Sequence, residues 1–464
     1  MSMHTMAAIR GKHVLVMGLG VHQGGLGVTK WLLRHGAQVT VTDLKTAVQL
    51  KSSVRQLRGT KVHFVLGRHR EKDFERADIL IQNPAVHHDS PFLRIAKKRG
   101  IPILNEAALF FSVVRIPVIG VTGTKGKSTT TLFIGQFLKE RQGRVATVGN
   151  IRHSFFTAVD RYGSRDRIVA ELSSWHIEGM VPQKQSPHIA VLTNVYEDHL
   201  NRYPSFAAYA KTKAMLFAFQ KKNDIAILNR DNAIVRKIGT EVPGRRYWFS
   251  RRFFAEENGA FLSAKGVMMR VNGKETLLVP KRLLPNDGRD RMENLLAALL
   301  AAKLAGAATA SLRAIVPTLH YPSGRREVVR TLAGRIFIND TTATAPIATI
   351  QALQNSTKPI LLIVGGENKQ LSYVELAKAI HQHAARVFLL PGSASALLRK
   401  AFRKHKPQHV MQVKNVRDAV HAAWKQSKPG DTILLSPAAA SFNQFAHEFE
   451  RGDAFVKTVK QLKS

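Results

Sequence analysis

Cysteine is absent from the 464-residue chain. That excludes a disulfide framework and any thiolate metal site, and it suits a reducing compartment. Long apolar runs are missing too. None reaches the ~18–20 residues that a membrane-spanning helix needs. The polar start from Met1 to Lys12 does not read as a signal peptide, and the run Val14 to Met17 that follows ends in glycines, as a strand would. No internal repeat or low-complexity tract is present. Acidic residues are scarce: 32 Asp and Glu stand against 70 Lys and Arg, a formal charge of +38. This balance attracts polyanions, with nucleic acid first, then nucleotides, sugar diphosphates and acidic substrates. Apolar residues still make up 44% of the chain, which excludes a disordered basic tail. At ~150 residues per domain, the length suits about three domains.

What is present is an alternation of short β-branched runs with amphipathic stretches. The runs include HVLVMG (13–18), QVTVTD (38–43), PVIGVTG (117–123), RIVAELS (167–173), HIAVLTN (188–194), PILLIVGG (359–366) and DTILLSP (431–437). Strand–helix alternation predicts an α/β fold with parallel sheets and crossover helices, and near-continuous apolar runs predict strands covered on both faces. Breaks near Val113 to Pro117 and at His320 to Gly324 suggest segments 1–114, 115–319 and 320–464. Residues 245–280 interrupt the alternation. With the Asn272-Gly273 pair, they read as inserted β-hairpins.

The strongest chemical signal is Gly120-Val-Thr-Gly123-Thr124-Lys125-Gly126-Lys127-Ser128, between a strand and a helix. A phosphate chain needs inward backbone N–H groups, a lysine for the β/γ charge and a hydroxyl for Mg²⁺, and all three are here. Val121 replaces one glycine of the strict phosphate-loop pattern. A second glycine cluster, Gly18 to Gly27, follows the first strand, and Asp43 ends the second. Gln23 stands where a dinucleotide fingerprint has its third glycine, which leaves a redox cofactor, another nucleotide or diphosphate, and a structural turn all open. Glu171-Leu-Ser-Ser174 and Asn194-Val-Tyr-Glu197-Asp198-His199 close two further strands. Carboxylate and imidazole at strand ends can meet metal beside a triphosphate. His199 reads equally well as a hydrogen-bonded loop residue.

Together with these segments, KTKAMLF (211–217), LNRDN (228–232), MENLLAAL (292–299), GRREVV (324–329), INDTTAT (338–344), IVGGENK (363–369) and LLSPAAASFNQF (434–445) resemble the Mur ligase family, in order and over nearly the whole chain. The resemblance is closest to its D-glutamate-adding members. It implies three domains: a Rossmann-like N-terminal domain for a UDP-sugar, a central phosphate-loop domain for ATP and a C-terminal Rossmann-like domain for an amino acid. The implied reaction joins D-glutamate to UDP-N-acetylmuramoyl-L-alanine. The substrate carboxylate attacks the γ-phosphate of ATP, and the incoming amine displaces phosphate from the acyl phosphate. The resemblance assigns the phosphates to Gly123, Thr124, Lys125, Gly126, Lys127, Ser128 and Thr129. Ser128 and Glu171 hold one Mg²⁺. His199 and Lys213, as a carbamate, hold a second. Asn294 lies near the adenine, Arg325 near the phosphates and Asp340 at the ribose. Val21, His22, Asp43, Asn150 and Ser173 face the UDP-sugar; Thr344, Lys369 and Ser441 face the amino acid. Without the resemblance, Lys213 reads as a helix-surface lysine, Asn294 and Ser441 as helix caps and Arg325 as a surface charge.

Four positions depart from the family pattern. Thr342 replaces a lysine, Glu448 an aromatic residue, Asp290-Arg291 a His-Asn pair and His176 a glutamine. Thr342 lacks a cation that would face a dicarboxylate, so L-glutamate or another amino acid stays open beside D-glutamate. Loss of one charge-assisted bond is worth about 1.5–3 kcal/mol, enough to alter preference. A folylpolyglutamate synthase would begin at the phosphate-loop domain, whereas about 115 residues precede it here. A basic nucleic-acid-binding ATPase is the alternative from another class. It would use Arg245-Arg-Tyr-Trp-Phe-Ser-Arg-Arg252, where cations alternate with aromatics. The resemblance implies a cytoplasmic monomer with no membrane span and no specific nucleic-acid partner.

Overall fold

The computed structural model describes residues 9–20, 23–84, 86–87, 89–139, 143–149, 153–198, 202–255, 257–285, 289–357, 359–445 and 447–463, with only the backbone at 23 and 289–291. The candidates Val21, His22, Asn150 and His199 lie outside the described residues. The chain divides into two compact units, Met1–His320 and Tyr321–Ser464.

The first unit carries two sheets. Strands β1 (His13–Met17), β2 (Gln38–Asp43), β3 (His63–Leu66), β4 (Ile79–Gln82) and β5 (Ile103–Asn105) are all parallel, in the order β3-β2-β1-β4-β5. The chain reverses direction across the sheet at β1, where the glycine cluster follows. In such sheets ligands bind beyond the carboxyl ends, at the reversal point.

The second sheet contains β6 (Val118–Thr122), β7 (Val145–Gly149), β8 (Arg167–Glu171), β9 (Ile189–Leu192), β10 (Ile225–Asn229), β11 (Arg245–Ser250), β12 (Gly259–Ser263), β13 (Gly266–Val271) and β14 (Lys274–Pro280). Its order is β14-β13-β12-β11-β10-β9-β6-β8-β7. Strands β6 and β9 are buried along their whole length, as apolar runs covered on both faces should be. The expected hairpins are β12–β13 and β13–β14, and Asn272 and Gly273 turn the second with φ of 49° and 77°. Residues 245–250 differ from the expectation. They form a strand parallel to both β10 and β12, so Tyr247, Trp248 and Phe249 are buried between neighbours. Arg251 pairs with Glu293 at 3.0 Å and Asp231 at 3.8 Å. The cation–aromatic run therefore offers no rings for base stacking.

Leu295 to Ala302 of helix Arg289–Leu304 form an unbroken apolar run and are at most 1% exposed. An all-round apolar helix belongs inside a core. One hydrophobic cluster runs through both sheets of this unit. Trp31 of helix Gln23–Arg34 stacks on Phe156 at 4.9 Å, and its indole N–H donates to Asp160 at 3.1 Å. Phe110 meets Phe155 at 5.1 Å.

The second unit has one sheet: β15 (Glu327–Leu332), β16 (Arg335–Asn339), β17 (Ile360–Val364), β18 (Ala384–Leu389), β19 (Val410–Gln412) and β20 (Thr432–Leu435), ordered β15-β16-β20-β17-β18-β19. Only the β15–β16 pair is antiparallel. Two apolar clusters cover its two faces. Among the described residues, no helix is long and apolar enough to cross a membrane.

Candidate active site

The loop Gly123 to Gly126 joins β6 to helix Lys127–Leu138. Its glycines are required by geometry. Gly126 has φ of +85°, and a Cβ there would lie 2.1 Å from Asn294 Oδ1; at Gly123 (φ +150°) it would lie 1.9 Å from Thr193 Oγ1. Gly126 caps the helix without a side-chain acceptor. The first N–H groups of the helix are thus left for an anion, and the helix dipole favours one. Lys127 folds back over the loop, and its ammonium donates to the carbonyls of Gly123 and Thr124, both at 3.0 Å.

The loop is held from behind by the segment after β9. Thr124 N–H donates to Asn194 O (2.9 Å), Lys125 N–H to Asn194 Oδ1 (2.8 Å) and Thr193 Oγ1 to Lys125 O (2.6 Å). Asn294 lies inside helix Arg289–Leu304, so it is no cap; it accepts from Thr130 Oγ1 at 3.4 Å and touches the loop at Gly126.

Glu171 ends β8 directly opposite Val121 of β6, and it is 0% exposed. Ser128, 6% exposed, opens the helix after the loop. A hydroxyl at the helix start and a carboxylate at the end of the strand beside β6 are oxygen donors that suit Mg²⁺, and a fully buried carboxylate requires compensating positive charge. The donor set therefore fits the ion.

Lys213 is not a surface lysine. It sits in the last turn of helix Phe206–Ala214, is 1% exposed, and reaches Thr122 Oγ1 at 3.5 Å and the Tyr209 ring at 4.8 Å. Burial first, then the positive charge of Lys127, holds its pKa well below the usual lysine value, against a smaller opposing pull from Asp198. The sequence carries no sign of this burial, because its helix reads FAAYAKTKA with two lysines close together.

At the first glycine cluster, Asp43 shapes the loop. It is 8% exposed and accepts from Gly20 N–H (3.1 Å) and Lys45 N–H (2.9 Å). Ser53 Oγ and Asn83 Nδ2 donate to the carbonyls of Gly20 (3.0 Å) and Gly18 (3.2 Å). Gly25 takes the close-packing place missing at Gln23, since a Cβ there would be 2.5 Å from Gly18 O. Ser173 caps helix Ser174–Met180 in a reciprocal box with His176. His176, at the departed position, is 4% exposed and lies 3.5 Å from Glu106.

In the second unit, Lys369 donates to Thr344 Oγ1 at 3.0 Å, so two of the amino-acid candidates meet. Ser441 is 2% exposed, and its hydroxyl has no hydrogen-bond partner among the described residues. Arg325 is exposed. Thr342 Oγ1 donates to Gly324 O at 2.9 Å, which ties the strand end to the segment carrying Arg325. Arg451 has no counterpart in the sequence reading. It is 1% exposed and donates to Thr341 Oγ1 (3.2 Å), Thr341 O (2.9 Å) and Ala439 O (3.1 Å). It thereby joins the segments leading to Thr344 and Ser441. Burial pushes its pKa down to about 10.

Asp340 is buried and accepts from Ser436 Oγ (2.8 Å) and Arg326 N–H (3.1 Å). Burial pushes its pKa up to about 7, against the pull of those bonds and of Arg326 and Arg325. The native state then binds more protons than the unfolded state between the unfolded value and about 7. Stability of the second unit is expected to fall as pH rises through that window. In Asp340→Asn the slope should vanish in melting curves; an unchanged slope would assign it to other groups.

The geometry defines an α/β phosphate-loop protein with a carboxylate and a low-pKa lysine beside the loop. Comparison with known proteins is specific. The MurD-like N-terminal domain of Mur ligases matches residues 12–105, the Mur ligase middle domain 121–302 and the Mur ligase glutamate ligase domain 324–439. The UDP-N-acetylmuramoylalanine–D-glutamate ligase of Roseiflexus sp. (strain RS-1) is 38% identical, covering 98% of this chain and 99% of its own. Among solved structures, the UDP-N-acetylmuramate-alanine ligase of Thermotoga maritima superposes with a TM-score of 0.63 at 18% identity, covering 97% of this chain and all of that one. The MurF ligase of the same organism, solved in complex with ADP, gives 0.57 at 17%, over 98% and 97%. These two share the fold. The chain belongs to the Mur ligase family, whose members are ATP-dependent amide ligases.

Proposed function

We propose that this chain adds D-glutamate to UDP-N-acetylmuramoyl-L-alanine at the expense of ATP, as the name of its Roseiflexus relative describes for that protein. One observation supports the chemistry above the others: the uncapped helix start, the buried Glu171 and the low-pKa Lys213 surround the end of the single strand β6. Segments 1–114, 115–319 and 320–464 serve the UDP-sugar, ATP and the amino acid in turn. Val21, His22, Asp43, Asn150 and Ser173 take the UDP-sugar. Asn294, Arg325 and Asp340 complete the ATP site, and Thr344, Lys369 and Ser441 the amino-acid site.

Loop N–H groups and Lys127 bind the phosphates and offset charge as the substrate carboxylate oxygen attacks the γ-phosphorus and ADP leaves. The glutamate nitrogen then attacks the acyl carbon, phosphate departs, and the amine gives up its proton. Ser128 and Glu171 would hold Mg²⁺, with His199 and carbamylated Lys213 at a second ion; the metal supplies charge neutralisation on the phosphates. A neutral, buried lysine amine is the form that takes up CO₂, losing one proton as the N–C bond forms. We further propose a cytoplasmic monomer.

With ATP, Mg²⁺ and UDP-N-acetylmuramoyl-L-alanine, phosphate release should require glutamate. D- and L-glutamate run side by side test the effect of Thr342. Release stimulated by no amino acid sinks the ligase assignment; stimulation by L-glutamate alone replaces the D-specific one.

A further inference from the structure

Residues 376–417 contain nine Lys and Arg and four His, with no Asp or Glu. Among the described residues none of the nine makes an ion pair. Eight of them are exposed, and Arg386 is half-buried. Arg399, Arg386 and Lys414 lie at β19, the outermost strand of the third sheet: Arg399 bonds Gln412, Arg386 lines the cavity beside the strand and Lys414 follows its end. Arg399 donates to Gln412 Oε1 at 3.3 Å and Arg386 to Gln426 Oε1 at 3.2 Å, while His381 contacts Lys406 O at 2.7 Å.

β19 is open along its outer side. His409 O and Val413 N–H bond to β18, so the two-residue alternation turns the N–H and C=O groups of Val410 and Gln412 away from the sheet. Val410 and Met411 are each 44% exposed. Beside the strand lies a cavity of about 400 Å³ lined by Arg386, Gln408, His409, Met411 and Gln426.

An open edge invites a further strand. A second copy would bring the same cations face to face and is repelled. We propose that β19 docks an extended acidic segment of a partner protein, which adds a strand to the sheet and places one carboxylate in the cavity against Arg386. Main-chain bonds to Val410 and Gln412 would supply the alignment, the exposed Val410 and Met411 an apolar contact, and the surrounding cations the selection for acid.

The test uses the full chain and a fluorescein-labelled twelve-residue peptide of alternating Asp and Val, read by anisotropy at low salt. Polyglutamate of equal length, a single-stranded oligonucleotide and phosphatidylglycerol vesicles run beside it. The alternating peptide should bind at least about tenfold more tightly than polyglutamate, because only it has strand propensity. Gln412→Pro removes the outward N–H and should weaken binding about tenfold with ligation unchanged, whereas Gln412→Ala binds like the native chain. Arg403→Glu combined with Lys404→Glu, distant from the ladder, should weaken it similarly. Preference for the oligonucleotide or the vesicles overturns the proposal, as does equal binding of polyglutamate or full binding by Gln412→Pro.

Discussion

Lys213→Ala should abolish ligation, by ~10³-fold or more, without destabilising the first unit. The two halves of this result separate a chemical role from a structural one. Among the described residues the buried native amine reaches a hydroxyl at 3.5 Å and lies over an aromatic ring, so removing it relieves a desolvated group. Its depressed pKa means that the unfolded chain binds the extra proton; stability therefore rises with pH until the unfolded lysine titrates, and the variant loses that slope. Activity has the opposite dependence on this side chain. As a carbamate it would offer oxygen ligands beside Thr122, to the second ion proposed for it and His199. A short carboxylic acid added to Lys213→Ala should restore part of the rate by occupying the vacated space. Native turnover in Lys213→Ala would remove the carbamate assignment; a dead enzyme with a melting temperature many degrees lower would assign the residue to folding.

Arg451→Met is expected to act on the second unit and on one substrate only. The substitution keeps much of the apolar stem and withdraws donors from Thr341 Oγ1, Thr341 O and Ala439 O. Leaving such acceptors buried costs about 2–4 kcal/mol, after allowing for the relief of burying a cation. The larger functional effect should be on KM for glutamate, because Arg451 fixes the segments leading to Thr344 and Ser441 while touching neither side chain. Arg451→Lys should recover part of the stability, since one ammonium cannot reproduce the planar fork. Unchanged melting and unchanged KM in Arg451→Met would show that helix Glu448–Gln461 holds those segments by packing alone.

The two residues differ in how far the sequence exposed them. The phosphate loop was legible because its glycines, lysine and serine are contiguous and each answers a local requirement, a positive φ or a close approach at Gly123 and Gly126. The parallel sheets were legible from their apolar runs. Lys213 became a candidate through resemblance alone, since nothing in its short helix, with lysines at 211 and 213, signals which of them is buried. Arg451 was not legible at all: its acceptors are mainly backbone carbonyls, one of them 110 residues away, and a carbonyl leaves no trace in a sequence. The same limit applied to residues 245–250, where sheet neighbours decided that the aromatics face inward.

The shared core of the first unit gives the boundary near residue 114 an unexpected character. Trp31 and Phe110 lie on helices Gln23–Arg34 and Glu106–Val113 of the N-terminal segment, yet they pack on Phe156 and Phe155 from beyond that boundary. A fragment ending at residue 114 would carry these rings into water and invite aggregation. Separate family domains match residues 12–105 and 121–302, yet one hydrophobic cluster joins them, so the N-terminal piece is expected to fold together with its neighbour. Truncation at that sequence break would sever the interior of the first unit.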